Sequence, residues 1–362
     1  MSLLFVPLKT PARVALTLVL ALAAAETCVA LRTPIPWMIG PLLATAIASI
    51  LGAPTASWTP LRNAGQWTIG AAQGLYFTPQ VTALVGSLWW AIVLGIAWAL
   101  ALGGAFGHWL HRGHASRFGG TPQQQRATSY FAGAIGGASE MTLLAEREGA
   151  RTDLVAAAHS LRLLVVTLVL PFAFTFSGLH GIDLTPPGPR EAHWPGFALL
   201  ALATGAGAWL MQRLGRANPW FMGSLVVAMG FTMASIHLSA IPQWLSNAAQ
   251  LFIGVSLGVR FTADFLHTAP RWLASVALGT TAMLGLCAGF AALLAWGTGI
   301  HPATMILGTS PGGIAEMAIT AKVLQLGVPV VTAFQVCRLV AVLVLVEPVF
   351  VWLYGRAGER AP

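Results

Sequence analysis

Gly136-Gly137-Ala138-Ser139-Glu140-Met141 recurs as Gly312-Gly313-Ile314-Ala315-Glu316-Met317. Each copy is followed at the same distance by an arginine, Arg162 and Arg338, inside otherwise apolar sequence. A glycine pair, a carboxylate and a guanidinium are all costly to place among hydrophobic residues. A costly feature written twice points to a site.

The chain around the motif is 56% hydrophobic and 8% charged, where soluble domains carry about 25% charged residues. Its mean hydropathy is +0.75. This is the composition of an integral membrane protein, with the lipid bilayer as its first partner. Apolar runs at 14–30, 89–106 and 275–296 approach or exceed the roughly 20 residues that span a bilayer as helix. They lack the alternation of barrel strands. The formal charge of +8 is spread singly between these runs. That pattern orients a membrane protein and does not describe a nucleic-acid surface. Cys28, Cys287 and Cys337 lie in apolar sequence without CxxC or metal spacing and read as packing residues. The N-terminus, with Lys9, Arg13 and the small residues Ala23-Ala24-Ala25, has the outline of a secretory signal. A retained helix is the better reading, because its counterpart at 196–211 cannot be a signal.

The duplication extends beyond the motif. Pro36-Trp37-Met38-Ile39-Gly40 matches Pro219-Trp220-Phe221-Met222-Gly223. Asn63, Gln66, Ile69, Gly70, Gly74, Phe77 and Thr78 match Asn247, Gln250, Ile253, Gly254, Gly258, Phe261 and Thr262. One membrane repeat therefore covers 12–178 and a second 195–355, joined by a Pro- and Gly-rich linker at 179–194. Helical segments are expected at 12–31, 35–51, 62–78, 83–110, 127–147 and 152–177. The second half repeats them at 195–214, 219–237, 244–261, 270–298, 303–322 and 328–354.

Charge decides how many segments cross. If all do, Lys9, Arg13, Arg62, Arg112, Arg117, Arg126, Arg190, Arg356 and Arg360 face Arg32, Arg147, Arg151, Arg213, Arg216, Arg260, Arg271 and Lys322 across the membrane, with no bias. If the motif segment of each half enters and returns on one side, only Arg32, Arg190 and Lys322 remain outside. The positive-inside rule favours the second arrangement. The expected fold is thus an all-α polytopic membrane protein of two inverted repeats. Each repeat has five transmembrane helices plus one re-entrant hairpin or broken helix. The expected location is the bacterial inner (cytoplasmic) membrane, with both termini cytoplasmic. Irregular backbone at membrane depth survives only when buried or lining a cavity. Paired interrupted segments in inverted repeats place the substrate site of secondary transporters.

The candidate substrate- or ion-binding residues are Gly136, Gly137, Glu140, His159, Arg162, Gly312, Gly313, Glu316, Gln335 and Arg338, with Asn63 and Asn247. Glu140 and Glu316 either accept a proton or cation, or cap the helix that begins after the glycines. Arg162 and Arg338 need partners at membrane depth. The glutamates are the candidates for a salt bridge, and anion binding is the alternative. His159 stands three residues before Arg162 where Gln335 precedes Arg338; it relays protons or is a hydrogen-bonded core histidine. Asn63 and Asn247 contact substrate or bond between helices. His108, His111 and His114 have metal-like spacing, but no carboxylate or cysteine is near. No catalytic residue, metal site or cofactor is read from the chain, and no P-loop, GxSxG or HExxH occurs.

The tandem layout, the Pro-Trp-x-x-Gly pairs, and Ser310-Pro311-Gly312-Gly313-Ile314-Ala315-Glu316-Met317 followed by Gln335-Val336-Cys337-Arg338-Leu339 resemble the AbrB-duplication membrane protein family. The first motif copy departs from the pattern, with Ala134-Ile135 in place of Ser-Pro. Members of that family carry labels of ammonia monooxygenase and of regulator of gene expression. A copper or di-iron oxygenase needs clustered ligands, and the intramembrane set holds one histidine and two glutamates. A DNA-reading regulator needs a soluble module, which the chain has no room for. The favoured expectation is an ion-coupled secondary transporter of a small polar or anionic solute, with a proton as the type of coupling ion. A membrane sensor that binds its ligand without moving it, and a monooxygenase-type enzyme, are the alternatives. A homo-oligomer is left open.

Overall fold

The computed structural model describes residues 10–115, 120–178, 192–263 and 269–355. The expected linker lies largely outside them, as do Lys9, Arg117, Arg190, Arg356 and Arg360 of the charge comparison. Among the described residues the chain is helix and connecting turn, with no strand. The first half contains α1 (Thr10–Ala30), α2 (Pro36–Ile50), α3 (Thr59–Gly74), α4 (Pro79–Ser87), α5 (Trp89–His114), α6 (Pro122–Gly133), α7 (Ala138–Arg147) and α8 (Thr152–Ser177). The second contains α9 (Trp194–Arg213), α10 (Pro219–Met233), α11 (Gln243–Gly258), α12 (Pro270–Thr298), α13 (Pro302–Thr309), α14 (Ile314–Val323) and α15 (Val328–Tyr354).

Proline sets many of the starts. It occupies the first turn of α2, α3, α6, α9, α10, α12, α13 and α15, where its missing N–H has no intrahelical partner to lose. Pro36 and Pro219 are helix starts, each preceded by a left-handed residue, Ile35 (φ 47°) and Asn218 (φ 46°). One expected segment divides differently in the two halves. Where 83–110 was one helix by pattern, α4 and α5 meet at Leu88 (φ −90°, ψ 11°), while its counterpart α12 runs unbroken for 29 residues.

Six helices are long and apolar enough to cross a membrane: α1, α5, α8, α9, α12 and α15. These are the first, fourth and sixth segments of each half, and the protein is a multi-pass membrane protein on that ground. The second and third segments are shorter. α2 and α10 have 15 residues each, α3 and α11 have 16. At ~1.5 Å per residue they reach only about 22–24 Å, against a hydrocarbon core of ~30 Å. The fifth segment of each half is split at the motif, into α6 and α7 and into α13 and α14.

The chain forms two compact units, each drawing one block from either half. The first, Met1–Gln80 with Pro186–Thr268, holds α1–α3 and α9–α11. Its helices pack backbone to backbone through the glycines of the repeat. A Cβ on Gly254 would lie 2.6 Å from the Met38 carbonyl oxygen, and one on Gly258 2.5 Å from that of Leu42, so α11 rests directly on α2. The matched contact joins α3 to α10. A Cβ on Gly70 would overlap Phe221 O, and one on Gly74 would lie 2.6 Å from Leu225 O. Gly40 meets Ala24 between α2 and α1, as Gly223 meets Gly207 between α10 and α9. With no hydrophobic drive between helices in lipid, such small-residue seams are where packing energy is found. The second unit, Val81–Thr185 with Ala269–Pro362, holds α5–α8 and α12–α15.

Valine at Gly70 or Gly254 cannot be relieved by moving a flexible side chain, because the obstacle includes backbone. Gly70→Val or Gly254→Val is expected to cost about 3 kcal/mol, the upper end of overpacking. Gly230→Ala in α10, with nothing within 4 Å of the added carbon, is expected to gain about 0.5–1 kcal/mol. Thermal unfolding of the detergent-purified variants checks both signs.

Candidate functional site

Both copies of the motif adopt one conformation. α6 ends at Gly133, the chain turns extended at Ala134 (φ −55°, ψ 138°), and α7 starts after Gly137 (φ −70°, ψ 142°). Likewise α13 ends at Thr309, Ser310 is extended (φ −63°, ψ 147°), and α14 starts after Gly313 (φ −79°, ψ 151°). Ala134-Ile135 therefore supports the same break as Ser310-Pro311. The two glycines have separate reasons. A Cβ on Gly136 would lie 2.8 Å from Met141 Sδ, and one on Gly312 2.8 Å from Met317 Sδ. A Cβ on Gly137 would strike Glu140 Oε2, and one on Gly313 would strike Glu316 Oε2. The motif is thus a single packing unit, with methionine over the first glycine and glutamate folded back over the second. The glutamate is the third residue of its helix, the position from which a carboxylate reaches the N-terminal amides. There it also meets the positive end of the helix dipole.

The arginines serve the opposite end of each break. Arg162 in α8 is 2% exposed and Arg338 in α15 is 5% exposed. Arg338 donates from Nη1 to Ser310 O, and from Nη2 to Gly312 O at 2.9 Å. Arg162 donates from Nη1 to Gly133 O at 3.5 Å and from Nη2 to Gly136 O at 3.4 Å. These hydrogen bonds of the guanidiniums go to main-chain carbonyls. A helix that stops inside the protein leaves carbonyls without intrahelical donors, at the negative end of its dipole. One guanidinium bonds a carbonyl at that helix end, Gly133 or Ser310, and a second inside the break, Gly136 or Gly312. In each arginine Nε is buried without a hydrogen-bond partner. Ion pairs also form elsewhere among the described residues, at Arg147–Glu347 (3.9 Å) and Arg151–Asp153 (2.6 Å).

His159 and Gln335 do matching work. His159 Nε2 lies 2.9 Å from Phe131 O, and its Nδ1 lies 2.7 Å from Arg162 Nη2. A carbonyl only accepts and a guanidinium only donates, so the ring is neutral with its proton on Nε2. Gln335 Nε2 donates to Leu307 O at 2.6 Å and to Ser310 O at 3.1 Å. Both side chains pin their helix to carbonyls near the end of the preceding half-helix. The carbonyls of Ser310, Phe131 and Leu307 are acceptors that the sequence does not announce, since every residue carries one. The methionines were visible in the motif but had no assigned role.

The second unit brings the two breaks together. α8 packs on α6 and α7 and also touches α14; α15 packs on α13 and α14 and also touches α6 and α7. Leu163, beside Arg162, lies 3.3 Å from where a Cβ on Gly313 would stand. Gly136, Gly137, Glu140, His159 and Arg162 thus share one unit with Gly312, Gly313, Glu316, Gln335 and Arg338. The copies differ in exposure: Glu316 is buried, whereas Glu140 is half-buried and Ser139 exposed. Asn63 and Asn247 are not part of this cluster. They lie on α3 and α11 in the first unit, where Asn247 Oδ1 accepts from Gln243 one turn away at 2.9 Å.

Because Gln335 already does in one half what His159 does in the other, His159→Gln is expected to hold stability within about 1 kcal/mol. His159→Leu strands a buried carbonyl and an arginine N–H, and is expected to cost about 2–3 kcal/mol. Thermal unfolding of the purified variants separates the two.

Comparison with known proteins follows the same residues. The family described as "Transition state regulatory protein AbrB" matches residues 37–354. A Bacillus subtilis (strain 168) protein named "Uncharacterized protein YhjN" is 26% identical over 354 residues, covering 90% of this chain and 89% of that protein. An Escherichia coli (strain K12) protein named "Putative regulator AbrB" is 28% identical over 353 residues, covering 95% of this chain and 97% of that protein. With both motif breaks, both buried arginines and the glycine seams inside the matched span, the chain belongs to the AbrB family of membrane proteins.

Proposed function

We propose that the protein is an ion-coupled secondary transporter of a small polar or anionic solute. In this reading the halves are inverted repeats of five crossing helices and one interrupted segment, with both termini cytoplasmic. The single observation that carries it is the convergence of two matched helix breaks in one compact unit, each flanked by a buried arginine and a glutamate. Unwound segments from paired repeats are how secondary transporters expose main-chain polar groups to a solute without exposing them to lipid. The reciprocal contacts α2–α11 and α3–α10 support paired halves, and the distribution of basic residues supports their inversion. No nucleotide-binding motif is present in the chain, which favours an ion gradient as the energy source. The bacterial inner membrane is the proposed site of action.

A second reading is favoured by one observation, the name of the E. coli relative as a regulator. Under it the same breaks bind a ligand whose occupancy is sensed and not transported.

Purified protein in proteoliposomes tests both. Transport requires solute uptake that follows an imposed proton or sodium gradient. Glu316→Gln and Glu140→Gln are each expected to abolish gradient-driven uptake, a loss of at least about 100-fold if the carboxylate carries the coupling ion. Both variants are expected to reach the membrane folded. Undiminished uptake in both variants contradicts the assignment, and ligand binding without flux in the unaltered protein supports the sensor.

A further inference from the structure

The two breaks share one backbone conformation and matching local partners, yet their surroundings differ. α7 runs from the first break to Arg147 with one face open: Ser139, Leu143, Glu146 and Arg147, spaced at a helical turn, are all exposed. Three of these four are polar or charged, and Arg147 keeps 60% of its side chain exposed beside Glu347. Such a face suits water and not lipid. α14 is the matching helix of the second break, and its residues from Ile314 to Ala321 are all buried. Ala315 and Ile319 stand where α7 has Ser139 and Leu143, at 4% and 1% exposure. The glycines differ in the same sense. A Cβ on Gly313 would lie 3.3 Å from Leu163 Cδ2 of α8, a residue of the other half. A Cβ on Gly137 would have only Glu140 atoms as its three nearest neighbours, out to 3.7 Å. Leu339, which matches Leu163 in α15, comes no nearer than that.

We propose that the chain is held in one of two access states, with the first break open to water along α7 and the second closed along α14. This rests on the transporter reading with its inverted repeats, and it specifies the side from which solute enters in this state. α7 ends at Arg147, with Arg151 close behind, and in the inverted arrangement both lie on the cytoplasmic side. α14 ends beside Lys322, one of the three basic residues that this arrangement leaves outside. The open route is therefore cytoplasmic and the closed one external. Paired repeats of matching local structure exchange surroundings when access alternates. In the other state α14 presents Ala315 and Ile319 to external water, and α7 is covered. Leu339 then packs at Gly137, as Leu163 now packs at Gly313. The residues favour the state seen here. Uncovering α14 exposes the apolar side chains of Ala315 and Ile319, whereas uncovering α7 exposes Ser139, Glu146 and Arg147. The inward-open state is thus the resting one, and solute reaches the first break from the cytoplasm.

Thiol accessibility of the full-length protein in native membranes tests this, with Cys28, Cys287 and Cys337 replaced by alanine. The probe is a membrane-impermeant maleimide, applied to inside-out or to right-side-out vesicles. Ser139→Cys and Leu143→Cys are expected to react in inside-out vesicles at least about tenfold faster than Ala315→Cys and Ile319→Cys react in right-side-out ones. The slow external reaction at Ala315→Cys reports visits to the other state. In the Ser139→Cys, Ala315→Cys double variant, a polyethylene-glycol maleimide attached to position 139 from inside keeps α7 uncovered. External reaction at position 315 is then expected to fall by about tenfold or more. An external rate unchanged by that load overturns the proposal. So does reaction at position 139 from the outside, no internal reaction at both 139 and 143, or no external reaction at both 315 and 319. Gradient-driven uptake in proteoliposomes separates the two access states from the reading beneath them. Coupled exposure without flux overturns the transporter and leaves the two states, whereas flux with independent exposure overturns the two states alone.

Discussion

The arrangement depends on one interaction, a buried guanidinium bonded to the carbonyls of an interrupted helix. A chain that stops being helical within a membrane protein exposes main-chain acceptors where water is scarce, and each unsatisfied group costs several kcal/mol. Arg338 meets two of those acceptors, at Ser310 and Gly312, and Arg162 meets the matching pair at Gly133 and Gly136. The glutamates lie beside Gly137 and Gly313, where the second half-helix of each break begins. The break is thus flanked by the negative end of one helix dipole and the positive end of the next.

The two units handle backbone in contrasting ways. In the first, glycines let helices approach until one backbone touches the next, at Gly254 on Met38 and Gly70 on Phe221. These helices are regular and short, and they gain stability from contact area. In the second, glycines serve a different end. Gly136 and Gly312 make room for methionine, and Gly137 and Gly313 for a carboxylate. Here the chain gives up helical hydrogen bonds to place polar groups inside. The rest of that unit, α5, α8, α12 and α15, consists of long apolar helices that pack on the half-helices or on one another.

Much of this was legible in the residues. Composition established the membrane class, and apolar runs located the long helices. The doubled Gly-Gly-x-x-Glu-Met pointed to an interruption in each copy, because glycine pairs and charge stand out in apolar sequence, and the breaks at 134–137 and 310–313 include both glycine pairs. Pro36 and Pro219 marked helix starts for the same reason that proline usually does. What stayed hidden was partnership. A glutamate and an arginine of opposite charge, repeated at equal spacing, invite a salt bridge, whereas the acceptors for Arg162 and Arg338 are carbonyls that every residue carries. Asn63 and Asn247 were read with the site because they are polar and duplicated; the fold puts them on α3 and α11, in the other unit. The split between α4 and α5 at Leu88 had no breaker residue to announce it.

The transporter reading requires the two breaks to meet in one place. Leu163 in α8 and Gly313 at the start of α14 provide the most direct measure, since a Cβ on Gly313 would stand 3.3 Å from Leu163 Cδ2. Cysteines at these two positions, with Cys28, Cys287 and Cys337 replaced by alanine and a protease site inserted between residues 179 and 191, would report on it in native membranes. The account predicts that oxidation or a short thiol–thiol reagent joins the two halves, so that they migrate together after cleavage until reduced. Halves that separate after cleavage despite full reaction of both cysteines would contradict it.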